Sequence, residues 1–159
     1  MKKIIVMSLM TLLLIVHANQ ANAYNMKAER NIKKGQWFLK KNKKNDSSII
    51  EKMSGLQYKI IVKGESTAKP ESHDQVTVHY QGTLLNGDVF DSSMARGRPI
   101  TFKLNQVMQG WKEGIQLMVI GDKFRFFIPA HLAYGKSKFG DIPPGSSLIF
   151  EIELLAINP

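Results

Sequence analysis

From Leu56 onward the chain repeats one pattern: apolar residues at every second position, in short stretches broken by turns rich in Gly, Pro and Asn. "VTVHY" puts Val76, Val78 and Tyr80 on one face and Thr77 and His79 on the other. "KFRFFI" alternates Phe124, Phe126 and Ile128 against Lys123 and Arg125, and "LIFEIELL" alternates Leu148, Phe150, Ile152 and Leu154 against Glu151 and Glu153. A period of two belongs to strands with one buried face. "LQYKIIVKG" and "ITFKL" read as further strands, and Asn86-Gly87 predicts a hairpin with both residues at positive φ, as a type I′ turn requires. One segment keeps the helical period instead: Trp111, Ile115 and Met118 stand at i, i+4 and i+7. Its glycines and shortness mean that it holds only by packing on a sheet. Together these predict an α+β domain, about five antiparallel strands wrapped around one short helix.

The stretch ahead of that domain has a different character. "MKK" precedes an apolar run from Ile4 to Val16, and "HANQANA" ends in the small-x-small pattern Ala21-Asn22-Ala23. This reads as a signal peptide, residues 1–23, cleaved after Ala23. The run is too short to span a bilayer, so no transmembrane anchor is expected. The implied address is the periplasm, with secretion beyond the envelope a second possibility. The chain has no cysteine, which excludes disulfides, thiol catalysis and cysteine-ligated zinc and leaves the domain reliant on its own core.

The net charge of +9 is concentrated early: residues 24–54 hold nine Lys or Arg against three acids, while residues 55–159 hold eleven against ten. Residues 24–45 read as a Lys-rich helix with a thin apolar stripe through Ile32, Phe38 and Leu39, in which Gly35 costs about 1 kcal/mol relative to Ala. Such a face is expected to be solvated, and export argues against a nucleic-acid partner. Residues 46–54 read as a linker. The expected organisation is therefore a leader (1–23), a basic helical arm and linker (24–54) and a domain (55–159).

Catalytic signatures for hydrolysis, nucleotide binding and metal chemistry are missing, and His73, His79 and His131 stand apart from one another, so no metal or cofactor is expected. Ser92 and Ser93 read as turn hydroxyls bonding the local backbone. What remains is a set of aromatic and apolar residues at element ends: Tyr80, Phe90, Trp111, Tyr134, Phe139, Ile142 and Phe150. Each alone is ordinary core. Phe90 is tied to Asp91, however, and Tyr134 stands in "AYGKSKFGDIPPG", a loop too rich in Gly and Pro to bury it in a regular core. An apolar pocket with a few polar handles is the general form of a small-ligand or peptide site.

"VTVHYQGTLLNGDVFDSS", "GWKEGIQLM", "AYG" and "IPPGSSLIFEIELL" resemble, in that order, the motifs of the FKBP-type peptidyl-prolyl cis-trans isomerases. The motif core runs over residues 73–159, and the upstream arm is similar to that of the exported bacterial branch, the macrophage infectivity potentiator-like proteins. In that branch a longer helical arm mediates dimerisation; with only residues 24–54 ahead of the domain, dimerisation is left open here. The resemblance implies a folding isomerase of exported proteins acting on X-Pro bonds, or alternatively a non-catalytic peptide-binding chaperone on the same scaffold. It implies that proline-containing polypeptides, and macrolides such as tacrolimus and rapamycin, are its ligands. Trp111 would form the floor, and Tyr80, Phe90 and Phe150 the walls. The Met108 N–H and the Tyr134 hydroxyl would donate to peptide carbonyls, and Asp91, held by Arg96 and Tyr80, would lie beside the twisting amide. Val107, Ile142, Ile100 and Phe139 would complete the binding surface. Ile100 stands where the family often has Phe, and Met108 where Ile or Val is common.

Overall fold

The computed structural model describes the backbone of residues 2–158 and the side chains of residues 13, 14 and 16–158. A single helix, α1 (Lys2–Asn45), is followed by β1 (Ile50–Glu51), β2 (Gln57–Val62), β3 (Gln75–Leu84), β4 (Val89–Ser92) and β5 (Ile100–Lys103). Then come α2 (Gln109–Ile115), β6 (Lys123–Ile128) and β7 (Leu148–Asn158), with one-turn 3₁₀ helices at Leu104–Gln106 and Ala130–Leu132. The strands form one antiparallel sheet in the order β1-β2-β6-β7-β3-β4, and β5 pairs with the other half of the β3 edge. Seven strands rather than about five are present. The additions are the returning arm of the hairpin, β4, and the two-residue β1 pairing with β2 inside the stretch expected to be a linker.

The alternating residues share the face of the sheet on which the α2 segment packs. Val76, Val78, Leu148, Ile152 and Leu154 are fully buried there, together with Ile115 at the end of α2 and Met118 just beyond it. The two glycines of "GWKEG" let α2 sit close. A Cβ on Gly110 would lie 2.5 Å from Ile128 Cγ2, and one on Gly114 2.7 Å from Phe126 Cε1. Their cost in helix propensity is the condition for packing backbone against strand.

The hairpin differs from the expected type I′ turn. Only Gly87 has positive φ (93°), and no residue other than glycine does. Gly87 N–H donates to Leu84 O (3.0 Å) and Leu84 N–H to Asp88 O (2.9 Å), which makes a three-residue loop closed by a left-handed glycine.

The basic arm also departs from expectation. It is docked, not free. Leu39 and Ile49 pack on Phe127 of β6, with Phe38 and Ile149 at the margin and the Phe38 and Phe127 rings 6.0 Å apart. Phe127 interrupts the alternation of "KFRFFI" because its outward face lies under α1. Gln57, itself buried, donates from Nε2 to Leu39 O (2.9 Å) and accepts from Asn42 Nδ2 (3.1 Å), joining the last turns of α1 to β2. Gly35 is a point of close approach: a Cβ there would overlap Ser147 Oγ. The apolar run read as a leader falls mostly on side chains outside the described residues. Among the described residues no helix is long and apolar enough to cross a membrane.

Candidate functional site

The site is built where β3 changes neighbours. Its second half pairs with β4 (Gly82↔Asp91) and its first half with β5 (Val78↔Ile100), so on this edge Tyr80, which pairs with Ile152 of β7 on the other, has no strand partner. Ser93 fills that gap. Its N–H donates to Tyr80 O (3.0 Å), and its hydroxyl accepts from Tyr80 N–H (2.8 Å). The expected local turn role holds for Ser92, whose hydroxyl accepts from Ala95 N–H (3.2 Å); Ser93 instead bonds the distant backbone of Tyr80 and so fixes the strand from which Tyr80 projects. The segment between β4 and β5 carries Arg96 back over the ring of Tyr80, its guanidinium carbon 5.6 Å from the ring centroid.

Eleven of the twelve residues singled out from sequence line one cavity of about 610 Å³. Trp111, 6% exposed, lies at its base among Tyr80, Phe150 and Phe102, at centroid separations of 5.0, 5.1 and 5.4 Å. Tyr80 and Phe150 meet the indole edge-on, at 77° and 82°, the arrangement that aromatic quadrupoles favour. Phe90 stands edge-on to Phe150 (5.5 Å, 85°). Gly82, opposite both, makes room: a Cβ there would come within 2.6 Å of each ring. Ile100, Val107, Met108 and Ile142 complete the apolar lining, and Tyr134 stacks on Phe139 (4.2 Å, 5°) at one lip.

Arg96, the twelfth, lies outside the lining but reaches it through Asp91. Its Nη1 donates to Asp91 Oδ1 and its Nη2 to the Tyr80 hydroxyl (2.8 Å), while that hydroxyl donates to Asp91 Oδ2. Burial pushes the Asp91 carboxyl up, but the donors from Tyr80 and Arg96 outweigh it and hold its pKa below the ordinary aspartate value. Burial, then the bond to Asp91, pushes the Tyr80 hydroxyl up, and the Arg96 guanidinium is raised by the same partners. At neutral pH the cluster is therefore a neutral phenol between an ionised carboxylate and a cation. Burial and the charge of Asp91 also raise Tyr134, whose hydroxyl stays protonated. No protein group among the described residues accepts from the Met108 N–H or bonds the Tyr134 hydroxyl.

Sequence reading missed Phe102, Gln106, Gly140 and Asp141, which also line the cavity. Phe102 had a signal, since it stands two residues beyond Ile100 on the same face of one strand. Gln106 and Asp141 lie in irregular segments, where no period says which way a side chain points. Among the described residues no three His, Asp or Glu side chains gather as a metal site.

Comparison with known proteins sets this geometry in a family. The family described as FKBP-type peptidyl-prolyl cis-trans isomerase matches residues 66–155, and that described as the domain amino terminal to FKBP-type peptidyl-prolyl isomerase matches residues 5–60. The chain is 51% identical over 131 residues to the FKBP-type peptidyl-prolyl cis-trans isomerase FkpA of Aeromonas hydrophila, covering 82% of this chain and 48% of that one. It is 48% identical over 142 residues to the outer membrane protein MIP of Legionella longbeachae, covering 89% and 60%. The crystal structure of FkpA from Escherichia coli superposes with a TM-score of 0.90 at 35% identity, covering 98% of this chain and 72% of that one. The chain thus spans between about half and three fifths of the length of the curated relatives it matches. Sequence, fold and pocket lining agree that this chain belongs to the family of FKBP-type peptidyl-prolyl cis-trans isomerases.

Proposed function

We propose that the chain is a peptidyl-prolyl cis-trans isomerase that speeds the folding of exported proteins, with residues 55–159 as the isomerase domain and the chain delivered to the periplasm by a leader cleaved after Ala23. The observation that carries the reading is an aromatic-lined cavity floored by Trp111 with a compensated carboxylate, Asp91, at its wall.

An X-Pro bond turns slowly because amide resonance must be broken, a barrier of about 18–20 kcal/mol. The twisted amide has lost that resonance, and its carbonyl oxygen carries less charge than that of the planar form. A water-poor cavity therefore disfavours the planar amide relative to the twisted one. In this reading the proline ring sits on Trp111 between Tyr80, Phe90 and Phe150. The Met108 N–H and the Tyr134 hydroxyl donate to flanking carbonyls, so that binding energy is spent on the twist. Asp91 stays ionised, held by Arg96 and Tyr80, and orients the amide without taking a proton. Ile100, Val107, Phe139 and Ile142 hold the residues on either side of the proline, and the same surface would accept tacrolimus or rapamycin.

The test is a protease-coupled or NMR exchange assay on an X-Pro peptide, with and without rapamycin. Catalysis that Asp91→Ala combined with Tyr134→Phe greatly reduces supports the reading. Peptide binding without any acceleration would make the chain a non-catalytic binder, and undiminished turnover in the double variant would sink the assigned roles.

A further inference from the structure

One wall of the cavity is a tongue running from Tyr134 to Ser147, and it has little structure of its own. Its stem is held by Gly145 N–H donating to Gly135 O (2.9 Å), and its tip by the Phe139↔Ile142 bridge (2.8 and 3.1 Å). Tyr134, Phe139, Asp141 and Ile142 all line the cavity from this tongue. Its other side is gripped by α1.

The grip engages both limbs. On the outgoing limb the Lys138 N–H donates to the Tyr24 hydroxyl (2.8 Å), and Lys136 pairs with Glu29 (2.5 Å). On the returning limb Asn31 Nδ2 donates to Pro144 O (2.8 Å), and Gly145 lies so close that a Cβ there would overlap Ala28 O. Ala28 is fully buried by this approach, although it belongs to the basic arm. Three of these contacts use tongue backbone, so they fix the path of the loop rather than one mobile side chain.

We propose that the first turns of the arm, residues 24–31, brace the tongue, and that Tyr24, Glu29 and Asn31 are positioning residues for the peptide-binding wall. This rests on the isomerase reading above. The arm then sets how well the pocket holds a peptide, and the chemistry at Trp111 and Asp91 is untouched. Anything that pulls the arm away, such as a partner bound along α1, loosens binding without abolishing turnover.

The test changes only the arm, in the full chain. Ala28→Leu wedges the helix off the stem, and Tyr24→Phe combined with Asn31→Leu removes the two bonds to tongue backbone. Expected is a rise in KM of about three- to tenfold, as the loss of a few exposed polar contacts allows, with kcat within about twofold. Faster hydrogen exchange at the Lys138 and Gly145 amides should accompany it. Glu29→Lys should raise KM, and adding Lys136→Glu should restore it, a rescue that a purely structural role for α1 would not give. Unchanged KM together with unchanged exchange in both arm variants overturns the brace. If the unaltered chain turns over no X-Pro peptide, the isomerase reading fails instead, and amide exchange still decides whether the arm holds the tongue.

Discussion

Asp91 is 40% exposed at its side chain, yet it is held ionised by two donors, Arg96 and the Tyr80 hydroxyl. Its folded pKa lies below the unfolded value of about 3.9. The stabilisation it contributes is therefore present above that value and is lost as pH falls through the lower folded pKa. A kcat/KM profile should be flat from neutral pH down to about 4 and fall only beneath it. An apparent pKa of 6 or above, assigned by its loss in Asp91→Asn, would mean that the carboxylate works as a base. Gly82 makes a second prediction at this scale. Gly82→Ala drives a methyl group into Phe90 and Phe150, each 2.6 Å away. It should destabilise the domain by about 1–3 kcal/mol, measured by urea denaturation. It should also weaken peptide binding, because the displaced rings are the wall itself.

At the scale of elements, α1 separates what a helix sequence says from what its neighbours say. Propensity makes Gly35 a flaw whose replacement by Ala gains about 1 kcal/mol. Packing reverses the sign, since a Cβ there would overlap Ser147 Oγ and lie 3.0 Å from Ser147 Cβ, and turning the hydroxyl relieves only the first contact. Gly35→Ala should therefore lower stability in thermal unfolding of the full chain, while the same change in a peptide of residues 24–45 should raise its helicity by circular dichroism. The helix end behaves similarly. Asp46 accepts from Lys59 Nζ (2.8 Å) and from Ser48, and these bonds pull its pKa down to about 2. Its contribution is present above about 3.9 and disappears as pH falls through about 2. Strand faces were legible where a strand has one more exposed and one buried side, as along most of β3 and β7. The docking of α1 was not, because the partners of Phe38 and Leu39 stand far along the chain, and only the extra Phe127 in "FRFFI" hinted that the outer face is covered as well.

For the whole molecule, the question is whether arm and domain make one folding unit or two. Among the described residues, every member of the main core cluster lies at or beyond Leu56, from Leu56 itself to Leu154. The pocket belongs to that cluster, which is why its composition could be read from the domain's motifs alone while the bracing of its tongue could not. The second cluster, by contrast, needs Leu39 and Ile49 from ahead of the domain to cover Phe127. Burying side chains of this size is worth about 1.5–3 kcal/mol each, and ordering the arm offsets much of that. A chain beginning at Gly55 should thus still fold cooperatively, with stability lower by about 2 kcal/mol and Tm lower by about 10 °C. It should bind more of a hydrophobic dye at the uncovered Phe127 and Ile149, and Leu39→Asp in the full chain should reproduce both changes without removing any backbone. Failure of the shortened chain to fold, with Leu39→Asp equally unfolded, would place the arm inside the cooperative core. A Tm equal to that of the full chain would instead mean that the contacts of Phe38, Leu39 and Ile49 contribute nothing net.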